Sequence, residues 1–193
     1  MGKTLQKYGP ADAGVKLSRR DFIDAEYEAP FKYERVSGRL VVMSPPGPAH
    51  RNTSKPFRRE LGGYWRDHPD RIDDVDVEGW VATSEDDDRL PDICVYLKGA
   101  HSAIPVPDRV PDIVFEFVSG ERADQERDYI HKRAEYHQIG VEEYVIVDRF
   151  KGSVLILTWR KGDFAERTLA ADQKYTTPLL PGLEVSLKEV FAD

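Results

Sequence analysis

Cysteine is almost absent from this sequence: Cys94 is the single one in 193 residues. A lone cysteine excludes an internal disulfide and leaves no cysteine-based zinc site. Its place inside an apolar stretch marks a buried, inert thiol and fits a reducing compartment, so the cytoplasm is the expected location. Long hydrophobic runs are also missing. No stretch approaches the roughly 20 apolar residues that cross a bilayer. The first residues, MGKTLQKYGPADAGVKLSRR, lack the apolar core of a secretory signal. Positive charge is in deficit too: 28 Lys and Arg face 35 Asp and Glu, a net charge of −7. That balance is unusual for a partner of nucleic acid, because phosphates reward basic surfaces. It does not exclude one, since a patch can be basic on an acidic whole, and a metal site adds carboxylates that the ion offsets.

What is present is enough chain for one domain with a real core. Residues 1–17 are punctuated by Gly and Pro without periodicity and read as a flexible arm, with the domain proper over 18–193. Ser18 caps a helix over RRDFIDAEYEA, closed by Pro30. KYERVSGRLVVMSPPGP reads as a hairpin about Ser37-Gly38. HRNTSKPFRRELGGYWRD reads as a helix despite Pro56 and Gly62-Gly63, and DDVDVEGWVA as one half-buried strand. The acidic run Glu85–Asp88 lacks the spacing of a calcium loop and reads as a solvated turn. Two strongly apolar strands follow, in RLPDICVYLK and PDIVFEFVS, then a charged helix from Ser119 to about Gln138 stopped by Gly140. EEYVIVD, SVLILTW and FAERTLA add strands, and the tail ends in a short helix. The order predicts an α/β or α+β domain built on a mixed sheet flanked by helices.

Each apolar strand carries an acid: Asp92 at the mouth of one, Glu116 inside the next. A buried carboxylate is costly unless it is paired, hydrogen-bonded or metal-bound. On neighbouring strands the two reach a common depth, where both stay ionised only with help. A hard divalent cation supplies it, since Mg²⁺ takes one or two carboxylates plus water and phosphate oxygens. The structural alternative makes Asp92 a strand cap and pairs Glu116 with Arg127 or Arg133. On the following helix Asp128, Lys132 and Tyr136 lie four apart on one face. Either Asp128 and Lys132 form an exposed pair, or Lys132 turns toward the strand acids. Arg51, Lys55, Arg58 and Arg59 share a broad helical face suited to phosphate contacts, or to plain solvation. Further basic residues, Arg122, Arg127 and Arg133, lie along the lysine helix.

Taken together, YERVSGRLVVMSPPGPAH, RLPDICVYL, DIVFEFVS, DYIHKRAEYHQIGVEEYVIVD and TPLLPGLEVSLKEVF resemble the Uma-type putative restriction endonucleases, within the PD-(D/E)xK nuclease superfamily. The resemblance runs from about Tyr33 to Phe191. It implies a restriction-endonuclease-like fold and Mg²⁺- or Mn²⁺-dependent hydrolysis of nucleic-acid phosphodiesters, with DNA the expected substrate. It implies Asp92 and Glu116 as metal ligands, the Phe117 carbonyl as a further one, and Lys132 as the residue that orients water. The superfamily pattern sets this lysine two residues after the acid, where Val118 stands; the Asp128-x-x-x-Lys132-x-x-x-Tyr136 pattern moves it to the helix. Asp128 and Tyr136 then support the lysine. Glu34 and His50 are implied as supporting catalytic residues at the site edge, Glu34 as a further metal ligand and His50 near the phosphate, against the plain readings of a partner for Arg39 and a surface histidine. Ser119-Gly120-Glu121 and Ser37 depart from the family pattern in a loop and a turn. A homodimer is expected by analogy with enzymes that cut two strands. The rival readings are a non-catalytic nucleic-acid-binding or assembly module with this fold, and a phosphodiesterase acting on a small substrate.

Overall fold

The chain is most deeply paired where its sequence is most apolar. The computed structural model describes residues 5–99, 104, 108–120, 127–160 and 163–192, the side chains of 127, 160 and 163 apart. Its strands, in chain order, are β1 (Lys7–Tyr8), β2 (Glu26–Tyr27), β3 (Lys32–Val36), β4 (Arg39–Met43), β5 (Ile72–Val77), β6 (Val81–Ala82) and β7 (Asp88–Arg89). After these come β8 (Ile93–Leu97), β9 (Ile113–Phe117), β10 (Glu143–Asp148), β11 (Ser153–Arg160), β12 (Asp163–Ala170), β13 (Lys174–Tyr175) and β14 (Val185–Ser186). The α-helices are α1 (Arg19–Ile23), α2 (Pro48–Asp67), α3 (Lys132–Ile139) and α4 (Leu187–Val190).

Six strands form the main sheet in the order β12-β11-β10-β9-β8-β5, with β9 and β10 parallel and the other neighbours antiparallel. The parallel step needs a crossover, and α3 lies within it. Both sheet faces are covered, which is why β9 and β10 are buried along their whole length and read as nearly unbroken apolar runs. One face packs Ile93, Phe115, Phe117 and Val145 against Phe57 and Leu61 of α2 and against Leu180 and Leu187 of the tail. The other packs Tyr96, Val114 and Ile146 against Tyr136 of α3. The architecture is thus a mixed α+β single domain, as the order of elements predicts.

A second sheet, β4-β3-β7-β6, stands beside the first. The β3–β4 hairpin turns where expected: Ser37 and Gly38 have φ of 51° and 69°, the left-handed pair a tight two-residue turn requires. Pro48 opens α2 in its first turn, two residues earlier than expected, and Pro56 is buried within the helix. Gly140, at φ 95°, ends α3 as predicted. Residues 121–126 of the helix expected from Ser119 lie outside the described residues. The part that is described begins with a π-helical turn, Arg127–His131.

Three expectations change. The helix capped by Ser18 closes at Ile23, because Glu26 and Tyr27 pair with β1 and Tyr27 packs its ring on Phe22, Tyr33 and Trp80. The strand expected over DDVDVEGWVA breaks at Glu78, whose φ is 62°. The acidic turn is not wholly solvated: Asp88 is buried and bonds Arg35 at 2.7 Å and Arg19 at 3.0 Å. Residues 5–17, set apart above as an arm, run beside the second sheet. There the Leu17 amide donates to the Gly38 carbonyl, and the Leu17 side chain is buried.

Candidate active site

The antiparallel register of β8 and β9 pairs Ile93 with Phe115. One step outward, the same register sets Asp92 opposite Glu116, at the end of the sheet where β8 begins. Asp92 is held there by two donors. Its Oδ2 accepts from the Phe117 backbone N–H at 2.8 Å, and its Oδ1 lies 3.1 Å from Nε2 of His50. His50 stands in the first turn of α2, its ring edge-on to Phe117. Burial opposes a charged ring, but the bond to Asp92 and its charge, with Glu78 adding, outweigh burial and raise the His50 pKa.

Glu116 sits deeper. Its Oε1 accepts from Lys132 Nζ at 2.7 Å and from the Tyr136 hydroxyl at 3.0 Å. Lys132 also lies 3.4 Å from Asp128 and 3.5 Å from Glu34. The four-residue spacing on the lysine helix therefore points inward, with the Asp128–Lys132 pair buried, not exposed. Burial pushes the Glu116 carboxyl up to about 8, against the pull of Lys132, and the charges of Asp128 and Asp92 push the same way. Burial, then the Glu116 charge, carry the Tyr136 hydroxyl well above its ordinary value, so it serves as a donor. Burial likewise raises the Cys94 thiol, in keeping with an inert residue.

Glu34 links this cluster to the second sheet. It is fully buried and accepts from Arg89 at 3.1 Å and from the Leu90 amide at 3.1 Å. Its partner is Arg89; Arg39 instead donates to the Gly14 carbonyl. Arg89 continues to Glu135 through two bonds, of 2.7 and 2.5 Å. Sequence reasoning missed both residues. The available signal was position: Arg89 stands three residues before Asp92, and Glu135 three after Lys132. Glu34, Glu116, Asp128 and Glu135 thus gather around two cations, Lys132 and Arg89, while Asp92 pairs with His50.

Asp92 and His50 open to solvent, with side chains 20% and 18% exposed, whereas Lys132 and Glu116 are 2% and 5% exposed. A cleft of about 350 Å³ lies at this open end, lined in part by His50, Arg51, Arg58 and Asp92. Of the four residues expected to meet nucleic acid, Arg51 and Arg58 line it. Arg59 instead pairs with Glu60 and Glu189, and Lys55 is exposed elsewhere on α2. Arg122 lies outside the described residues, and so does the side chain of Arg127. Arg133 pairs with Glu166.

Among the described residues no group of three or more His, Cys, Asp or Glu side chains is placed to hold a metal ion. The described residues thus offer no all-protein cage, the arrangement Ca²⁺ favours, whereas Mg²⁺ keeps several waters and needs only one or two carboxylates. The all-oxygen pair Asp92 and Glu116 fits the latter. No helix among the described residues is long and apolar enough to cross a membrane.

The comparisons with known proteins agree with this architecture. A family model described as Uma2: Putative restriction endonuclease matches residues 19–188. A solved structure, that of a putative nuclease belonging to DUF820 from Anabaena variabilis ATCC 29413, superposes with a TM-score of 0.69. It is 14% identical, and the match covers 91% of this chain and 97% of that one, which shows a common fold. No curated protein matches the sequence.

Proposed function

The chain belongs to the Uma2 family of putative restriction endonucleases, and from that premise we propose that it is a divalent-metal-dependent nuclease that hydrolyses phosphodiester bonds in nucleic acid, with DNA the expected substrate. The observation that carries the reading is the convergence of Lys132 on Glu116, directly across the β8–β9 register from Asp92. Asp92 and Glu116, with the Phe117 carbonyl, would hold Mg²⁺ or Mn²⁺. Bound there, the cation would supply a more acidic water and offset charge on the phosphate under attack.

The chain's own groups divide the remaining work by depth. Arg51 and Arg58 receive the phosphate backbone in the cleft, where their charge attracts it. His50 fixes the orientation of Asp92 at the open end. Tyr136 and Lys132 both donate to Oε1 of Glu116, which fixes that carboxylate from behind and sets its charge. Lys132 thereby acts on the attacking water through Glu116, the carboxylate it holds. Glu34 and Arg89 hold the lysine in place from the second sheet. A homodimer carrying two such sites, acting in the cytoplasm, completes the proposal.

One observation favours the rival reading, a non-catalytic module of the same fold: both Asp92 oxygens already have protein partners. Cleavage separates the two. Supercoiled plasmid and labelled oligonucleotides are incubated with Mg²⁺ or Mn²⁺ and the wild type, Asp92→Ala or Lys132→Ala. Cleavage by the wild type and its loss in both variants supports a nuclease. Equal cleavage by all three exposes a contaminant, and none by any of them favours the binding module.

A further inference from the structure

One wall of the cleft is not used by the residues assigned so far. Lys32 lies two residues before Glu34 on β3, so both point to the same face of the strand. Lys32 lines the cleft with His50, Arg51, Arg58, Glu78 and Asp92. Its ammonium is paired with the Glu78 carboxylate, both side chains being 30% exposed.

Glu78 is held in an unfavourable backbone. At φ 62° it occupies the left-handed region that costs a non-glycine residue about 1–2 kcal/mol. The surroundings fix it there. Its amide donates to the Asp92 carbonyl at 3.3 Å. The next residue, Gly79, leaves room for the Asp76 side chain, whose carboxylate would have to shift to admit a Cβ there. A half-exposed ion pair returns about 0–1 kcal/mol. The ion pair and the backbone cost are thus of similar size, and the carboxylate adds little net stability at this point.

The cleft's two arginines differ from Lys32. Arg51 donates to the Pro46 carbonyl at 2.6 Å and Arg58 to the Arg51 carbonyl at 3.4 Å, neutral partners that leave their charge in place. Lys32 is neutralised by Glu78, next to the carboxylate proposed to hold the metal. We propose that Lys32 is a substrate-phosphate contact, and that Glu78 occupies it until a phosphodiester displaces the carboxylate. This rests on the nuclease reading. It adds a selectivity device, because a weakly held anion does not displace an intramolecular carboxylate, whereas a polyanion anchored on Arg51 and Arg58 does.

The test is equilibrium binding of a labelled duplex and a labelled single strand across a range of salt, in EDTA and again with Ca²⁺. Lys32→Ala should lower the slope of log affinity against log salt by about 0.9 on the duplex, one phosphate contact, and weaken binding about tenfold. Lys32→Arg should keep the slope. Glu78→Gln should tighten binding several-fold. A slope unchanged in Lys32→Ala, or binding weakened by Glu78→Gln, overturns the inference while leaving the nuclease reading intact. A wild type that binds neither nucleic acid in either condition removes both. Because Glu78→Gln is read by a gain, failure of Lys32→Ala to fold would not prevent a decision.

Discussion

Replacing Lys132 with Met removes one ammonium and keeps most of the side-chain volume, so the cost reports charge and hydrogen bonding, with little from a cavity. Glu34, Glu116 and Asp128 are left facing one another, with Arg89 the remaining cation. Breaking a buried pair by deleting one partner costs about 3–5 kcal/mol. Part of that is relieved near neutral pH. Glu116 is already pushed up to about 8, and losing the charge that holds it down raises it further, so it enters the variant protonated. A charged hydrogen bond, about 1.5–3 kcal/mol, is still lost, and Glu34 and Asp128 still lack their shared partner. The expected loss is about 3 kcal/mol at neutral pH, or a melting temperature lower by roughly 6–12 °C for a chain of this size. Urea unfolding of the metal-free proteins measures it, and repeating the substitution in Glu116→Gln isolates the pairwise part. A loss below about 1 kcal/mol, or full additivity of the two substitutions, would refute the claim that Lys132 and Glu116 form one buried unit.

Other consequences follow from the same network. The folded-state value of Glu116 is raised above its ordinary 4.5, so its contribution is fully present below that value and is lost as pH rises through about 8. Urea midpoints of the metal-free wild type should fall across that window and flatten in Glu116→Gln; a wild type already flat there contradicts the assignment. Arg89→Met leaves Glu34 buried without its guanidinium and should cost about 3–5 kcal/mol, whereas Glu135→Gln, at a half-open position, should cost about 1 kcal/mol. Similar losses in the two variants would show that the Glu34 side of the network is not the buried one. Tyr136→Phe removes one donor to Glu116 and should cost about 1–2 kcal/mol with the near-UV spectrum retained. A collapse of that spectrum would mean the hydroxyl holds the fold and not the carboxylate.

The central strands were legible because burial on both faces writes itself as unbroken apolar sequence, and an acid inside such a run is conspicuous. Glu116 in FEF and Asp92 before ICVYL stood out for that reason. Lys132 and Tyr136 were legible through helical spacing, and Gly140 and Ser37-Gly38 through the backbone angles they permit. Arg89 and Glu135 were not. Both join partners more than 40 positions away, Arg89 to Glu34 and Glu135 to Arg89, and no local pattern marks a contact made by two sheets closing on one helix. Asp88 escaped for a related reason: a run of acids looks solvated until Arg35, 53 residues earlier, is brought against one of them. The short α1 shows tertiary packing overriding propensity, since the Tyr27 ring is held in an aromatic cluster that a continued helix would not place there.

A nuclease at this site requires Asp92 and Glu116 to hold one divalent cation together, and equilibrium titration of Mn²⁺ into the protein tests that directly. Wild type should bind one ion per chain at this site, and both Asp92→Ala and Glu116→Ala should abolish it while remaining folded. A wild type that binds none, or variants that bind as tightly as the wild type, would contradict it.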